Sequence, residues 1–177
     1  MIRTVIRYFF LILYYAFAQY LPSSYSAFGG KIYNSFRILC VKHIFKYCGK
    51  ISTIERRAYF GNGRNVEIGN GSGIGSYNRL PNNILIGENV MLASGVIILS
   101  ENHAYDRVDI PICKQGYKTY THVVIEDDCW ICTNVIITPG RIVSKGSIVA
   151  AGAVLTKNYP EYTIVGGNPA KLIKNRK

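Results

Sequence analysis

Every sixth residue from Ile68 is aliphatic: Ile68, Ile74, Leu80, Ile86, Leu92 and Ile98. The series lapses and then resumes as Ile125, Ile131, Ile137, Val143, Val149 and Leu155. A period of six fits neither a plain strand nor a helix. It fits short extended runs that turn a corner every six residues, three runs making one triangular coil of about eighteen. The side chain at each ruler position then points into the prism and stacks on the ruler one coil later. This predicts Ile68 against Ile86, Ile74 against Leu92, and Leu80 against Ile98. It likewise predicts Ile125 against Val143, Ile131 against Val149, and Ile137 against Leu155. Glycine follows the ruler at Gly69, Gly75 and Gly87, where a side chain is expected to strain the corner. Glu126, Cys132, Thr138 and Ser144 depart from that rule, and Arg141 takes a slot that is usually small, so it either turns outward or is buried with a partner. Ile54 and Phe60 mark an opening coil out of register with the rest.

The coil accounts for residues 51–177, and residues 1–50 read as a helical segment packed on it. Residues 8–30 carry no charge, and Pro22 interrupts them. Arg3 and Arg7 with the apolar run behind them have the outline of a signal peptide ending at Ala16-Phe17-Ala18. Three tyrosines in or beside that run favour a packed helix instead. A second helix is expected over residues 31–47, with Ile38, Val41 and Phe45 on the apolar side and Arg37, Lys42 and Lys46 between them. The formal net charge is +11, concentrated at the two ends. Residues 1–57 hold nine Lys and Arg against Glu55 alone. Such ends suit a phosphorylated ligand or an anionic membrane surface. Nucleic acid is set aside, because no recognition motif accompanies the charge.

Five cysteines without framework spacing fit a reducing compartment. Cys129 and Cys132 read as small repeat residues, since no second pair completes a zinc site. The glycine-rich run 69–75 lacks the spacing of a phosphate loop. The excursion at residues 99–122 is a long loop inside a compact repeat, the kind of segment that often carries function. It contains His103. His43 lies on the second helix and His122 at the resumption of the coil.

Several runs in this chain resemble the hexapeptide-repeat acyltransferases, in particular the galactoside, maltose, nodulation-factor and colanic-acid type O-acetyltransferases. They are Glu101-Asn102-His103-Ala104-Tyr105-Asp106, the stretch from Val123 to Ile131, Thr138-Pro139-Gly140, the stretch from Ala150 to Lys157, and Ile164-Val165-Gly166-Gly167-Asn168-Pro169-Ala170-Lys171. The opening Leu21-Pro22-Ser23-Ser24 with its basic helix is similar to the polysaccharide-cluster subgroup. The resemblance implies an all-β solenoid, a left-handed parallel β-helix, assembled as a homotrimer with active sites between subunits. It implies acetyl-CoA as co-substrate, a sugar or polysaccharide precursor as acceptor, no metal, and a cytoplasmic location, with peripheral attachment at the inner face of the membrane through the N-terminal basic apolar segment as the alternative. His103 matches the catalytic base. Trp130, Thr133, Ala151, Thr156, Lys157, Lys171 and Lys174 match positions along CoA, and Asn78 corresponds to a substrate-side asparagine. Glu101, Asp106 and Asp109 are the candidates for orienting His103. Competing readings are N-acetyl transfer to an amino sugar, a different acyl-CoA donor, and a scaffold without catalysis. A metal-dependent γ-type carbonic anhydrase shares this coil but needs three convergent histidines, a set that is missing with His43 far outside the repeats.

Overall fold

The structure, a computed structural model, describes residues 2–176. It is a parallel β-solenoid with three faces and a two-helix cap. The first face stacks Tyr47–Cys48, Glu67–Ile68, Leu85–Ile86, Val124–Ile125 and Ile142–Val143. The second stacks Thr53–Ile54, Gly73–Ile74, Met91–Leu92, Trp130–Ile131, Ile148–Val149 and Thr163–Gly166. The third stacks Ile97–Ile98, Ile136–Ile137 and Val154–Leu155, and bridges through Arg79 and Tyr59 carry it upward. Each two-residue strand lends one side chain to the interior and one to the outside, which is why the ruler is buried and its predecessor is not.

Five of the six expected stacks are paired residue for residue: Ile68–Ile86, Ile74–Leu92, Ile125–Val143, Ile131–Val149 and Ile137–Leu155. Arg79 bridges Ile97 in the same register, so Leu80 falls beside Ile98. The prism also runs straight through the break, with Ile86, Leu92 and Ile98 paired to Ile125, Ile131 and Ile137. The opening coil is longer than the others: Cys48 pairs with Ile68 and Ile54 with Ile74. Tyr47–Cys48 already belongs to the ladder, so the coil starts a few residues before the expected division at 50/51.

The ruler glycines serve close approach rather than turn geometry. Gly69, Gly75 and Gly87 do not have positive φ; left-handed positions in the coil include Tyr77, Asn89, Asp128 and Asn134, with Gly71, Gly95, Gly146 and Gly152. A Cβ on Gly75 would sit 2.5 Å from the Ala93 carbonyl oxygen, and one on Gly69 2.6 Å from that of Gly87. Gly75→Ala therefore has to push two coils apart. It is expected to cost about 1–3 kcal/mol, the usual range for overpacking. Thermal unfolding followed by circular dichroism reads this, and an unchanged midpoint would refute the close-approach account. Where glycine is absent, polar side chains reach the next coil instead. The Thr138 hydroxyl donates to the Leu155 carbonyl (2.9 Å), and that of Ser144 to the Tyr159 carbonyl (2.7 Å). Cys129 is buried in the prism two residues before its ruler, and burial pushes its thiol up to about 11.

The cap consists of α1 (Ile2–Ala16) and α2 (Gly30–Ile44), joined through a short 3-10 turn at Ala18–Tyr20. Tyr14 is fully buried and donates to the Ala58 carbonyl (2.8 Å); Tyr15 donates to the Gly61 carbonyl (2.8 Å). His43 stacks on Phe10 at 4.1 Å between ring centroids, a packing role within the cap. α2 buries Arg37, Cys40, Val41 and Ile44, so Arg37 lies on the packed face, not the polar face expected for it. Its Nε donates to the Ile54 carbonyl (2.6 Å) and its Nη1 to the carbonyls of Leu21 (3.2 Å) and Pro22 (3.0 Å). Its Nη2 is 3.9 Å from the buried Glu55 carboxylate.

Candidate active site

The chain leaves the coil after Leu99, whose N–H donates to the Ile137 carbonyl (2.9 Å), and is back at Val123, whose carbonyl accepts from Leu85 (3.3 Å). The excursion between them is a folded hairpin. Asn102–His103 pairs antiparallel with Tyr117–Lys118, His103 directly opposite Tyr117. The His103 imidazole is exposed and stacks on the Tyr117 ring at 4.5 Å. Side chains stiffen the rest of the loop. Lys118 pairs with Asp106 (2.8 Å) and sits over the Tyr105 ring (3.9 Å). The Gln115 amide donates to the carbonyls of Arg107 (2.7 Å) and Ile110 (3.0 Å). Asp109 is held by Arg107, which keeps its carboxyl below the usual carboxylate range.

These pairings separate the three carboxylates expected near His103. Asp106 and Asp109 are committed to Lys118 and Arg107. Glu101, two residues before His103, has no ion pair or hydrogen bond among the described residues. It lines an outer groove of about 450 Å³ together with Tyr59, Arg79, Asn82, Ile97 and Ser100.

The expected CoA positions fall into two groups. Trp130 lies on the outside of the second face, 45% exposed, laddered between Met91 and Ile148. Thr133 and Ala151 are exposed at the edge where the second face turns into the third, one coil apart, and the Gly152 N–H bonds the Thr133 carbonyl (2.9 Å). The strand Lys171–Asn175 adds to the same second face, with Lys171 opposite Gly166 and Lys174 opposite Ile164. Thr156 and Lys157 instead follow Val154–Leu155, at the far edge of the third face from which the His103 loop also springs. Arg141 turns outward at this edge and donates to the carbonyls of Pro139 (3.2 Å) and Thr156 (3.1 Å). One chain thus places the His103 hairpin and Thr156–Lys157 on one edge of the prism, and Trp130, Thr133 and Ala151 on and around another face.

Asn78 corrects the expectation for it. It is fully buried, and its Oδ1 accepts from the Val96 N–H (2.8 Å) inside the prism. It stands two residues before the ruler Leu80, an interior slot, and so does not face a ligand on the outside.

No protein-family model matches the sequence. Curated relatives do. The chain is 27% identical over 141 residues to the galactoside O-acetyltransferase of Escherichia coli, covering 76% of this chain and 66% of that protein. It is 34% identical over 97 residues to the putative lipopolysaccharide biosynthesis O-acetyl transferase of the same organism, covering 51% of this chain and 50% of that one. A maltose O-acetyltransferase from Clostridium difficile superposes with a TM-score of 0.74 at 28% identity, over 99% of this chain and 88% of that chain. A hexapeptide-repeat acetyltransferase from Vibrio cholerae gives a TM-score of 0.78 at 22% identity, over 100% and 94%. The relatives are O-acetyltransferases and the structural neighbours are hexapeptide-repeat acetyltransferases, matching the resemblance read from the sequence.

The coil is a β-solenoid with an N-terminal helix, the fold of these hexapeptide-repeat neighbours. The match spans about half the length of several curated relatives, 42% of one and 50% of another. The Vibrio protein has also been solved complexed with acetyl-CoA, matching here with a TM-score of 0.60 at 24% identity over 81% of this chain and 78% of that chain. An N-acyltransferase from Bacillus cereus in complex with dTDP-4-amino-4,6-dideoxyglucose and coenzyme A shares the fold, with a TM-score of 0.60 at 23% identity over 77% and 87%. Against this acyltransferase frame, Tyr117 is the residue the sequence did not single out. Its only signal was an aromatic side chain within the His103 loop.

Proposed function

We propose that this protein transfers an acetyl group from acetyl-CoA to a sugar hydroxyl, in the synthesis of a bacterial surface polysaccharide, with His103 as general base. The observation that carries the reading is the placement of His103 on a braced hairpin at the edge of a solenoid whose relatives are O-acetyltransferases. The neutral imidazole takes the proton of the acceptor hydroxyl as that oxygen attacks the thioester carbonyl. The tetrahedral intermediate collapses, the C–S bond breaks, and the CoA thiolate leaves with the proton returned by His103. Stacking on Tyr117 restricts the ring so that a nitrogen stays aimed at the acceptor.

Trp130, half exposed beside the Thr133–Ala151 edge, suits the pantetheine arm. Lys171 and Lys174 are exposed cations suited to the CoA phosphates. Thr156 and Lys157 lie on the other edge, so the full set of groups requires a neighbouring chain. A homotrimer that packs the His103 edge of one chain against the Trp130 side of the next supplies it. The supply of acetyl-CoA places the reaction in the cytoplasm.

The test is incubation of purified protein with acetyl-CoA and a panel of sugars, following free-thiol release, with the product located by NMR and the assembly mass by light scattering. Acceptor-dependent thiol release, an O-acetyl sugar and a trimeric mass are the expected results. An N-acetyl product would move the assignment to amine acylation. Failure to bind acetyl-CoA at all would overturn the reading.

A further inference from the structure

The outer face of α1 is built the wrong way round for a helix resting on a soluble protein. Such a helix turns its polar residues to water. Here Ile2, Val5, Phe9, Ile12 and Ala16 recur on one side, and that side points away from the coil. Ile2 is 77% exposed, Val5 64%, Phe9 60% and Ile12 68%. Tyr14 and Phe10 on the opposite side do the packing, through the Ala58 carbonyl and His43. Exposed apolar side chains continue with Tyr25 and Phe28 in the connection and Ile32 and Leu39 on α2. A contiguous apolar surface of this kind marks a contact with something else. α1 has 15 residues, about 22 Å of helix at 1.5 Å per residue. No helix among the described residues is long and apolar enough to cross a membrane.

A second feature lies at the start of the same helix. Arg3 and Arg7 from α1, His43 at the end of α2, Lys46 after it, and Arg64 from the first coil surround a cleft of about 440 Å³. Lys46 is paired with Glu67 (2.6 Å). Arg3, Arg7 and Arg64 have no carboxylate partner among the described residues. No acidic residue precedes Glu55, which is itself buried, so every exposed charge on the cap helices is positive. That sign chooses between occupants. A second copy of this chain would bring like charge against like charge, whereas a bilayer rich in acidic phospholipid offers both acyl chains and phosphates.

We propose that α1 lies in the interfacial plane of an anionic bilayer, its outward face among the acyl chains and the long side chains of Arg3 and Arg7, on its polar side, reaching lipid phosphates at headgroup level. This docking is independent of the acetyl-transfer reading and brings the loop-bearing solenoid to the membrane surface whatever it acylates. The test is co-sedimentation of the full chain with vesicles of phosphatidylcholine alone and of phosphatidylcholine with roughly a third phosphatidylglycerol. Binding to the anionic vesicles at least ~10-fold tighter than to neutral ones is expected, weakening in high salt. Phe9→Asp with Ile12→Asp should abolish it. Arg3→Glu should weaken it about fivefold or more, since one basic residue near such a surface contributes about that factor. Far-ultraviolet circular dichroism should be unchanged in each, because the substituted side chains are exposed. Absence of anionic-vesicle binding by the wild type, or binding undiminished in the Phe9/Ile12 variant, overturns the proposal. So does a drop in oligomeric mass in that variant without vesicle binding by the wild type, which would make the face a contact between copies.

Discussion

Replacing His103 with alanine is expected to lower acceptor-dependent acetyl transfer by about 10²–10⁴-fold, the usual contribution of a positioned general base. The loss should fall on kcat, with little change in the binding of acetyl-CoA, because Trp130, Thr133, Ala151, Lys171 and Lys174, most of the residues matched to CoA, lie on other parts of the prism. Stability should hardly move, since the imidazole is exposed and its recorded side-chain contact is the Tyr117 ring. Tyr117→Ala removes that stacking and leaves the base in place, so a smaller loss is expected, recovered by Tyr117→Phe. Steady-state kinetics on the two alanine variants, with acetyl-CoA binding by calorimetry, separates these roles. Activity of His103→Ala within about threefold of wild type would place the base elsewhere.

Removing either partner of the Arg37–Glu55 pair is expected to destabilise the protein by about 3–5 kcal/mol, because a buried charge is left without its counter-ion. Arg37 bonds three carbonyls, from Leu21, Pro22 and Ile54, and so ties the helix connection to the first coil. Burial pulls its guanidinium down from its ordinary range, and Glu55 opposes that. Burial by itself would raise the Glu55 carboxyl, but hydrogen bonds from Ser24, Arg56 and Ser23 outweigh it and hold the group below its usual value. A depressed carboxyl contributes stability that is whole above the unfolded value, about 4.3 for glutamate, and is lost as pH falls toward the folded one. Urea unfolding of wild type and Glu55→Gln from pH 7 down to pH 3 should therefore converge at the acid end. Parallel curves over that range would show that Glu55 carries no such linkage.

The arithmetic of the ruler made the three-faced coil readable before any coordinate, since a buried aliphatic every sixth residue admits few other structures. The same arithmetic reaches further than the rulers. Asn78 sits two before Leu80, a slot occupied elsewhere by Val66, Ser72 and Val96, so its burial followed from the period. Arg37 was misplaced because charge was taken to mean exposure. Its spacing to Cys40, Val41 and Ile44 put it on the packed side, and Glu55, the one acid in the first 57 residues, was its counterpart. The hairpin in the 99–122 loop lay beyond pattern reading: its register rests on Gln115, Lys118 and Tyr117, side chains that act at a distance along the chain. The distribution of the matched CoA residues over separate edges was equally invisible, because position within a coil matters only once the coil is folded.

A ladder of parallel strands is open at both ends, and each open end is a template on which another chain can continue. Neither end is left bare here. At the start, the cap helices overlie the first coil through Tyr14, Tyr15 and Arg37. At the finish, the Ile142 N–H is taken by the Asn158 side chain (3.0 Å), the Ala170 N–H goes to the Val154 carbonyl (2.8 Å), and Lys171–Asn175 reverses direction across the second face. Arg176 fastens that reversal to Asp128 (3.0 Å) and the Gly146 carbonyl (2.6 Å). A truncation before Lys171 would strip this stopper and expose Thr163–Gly166 as a growing tip, turning a solenoid of set length into a seed for end-to-end fibres.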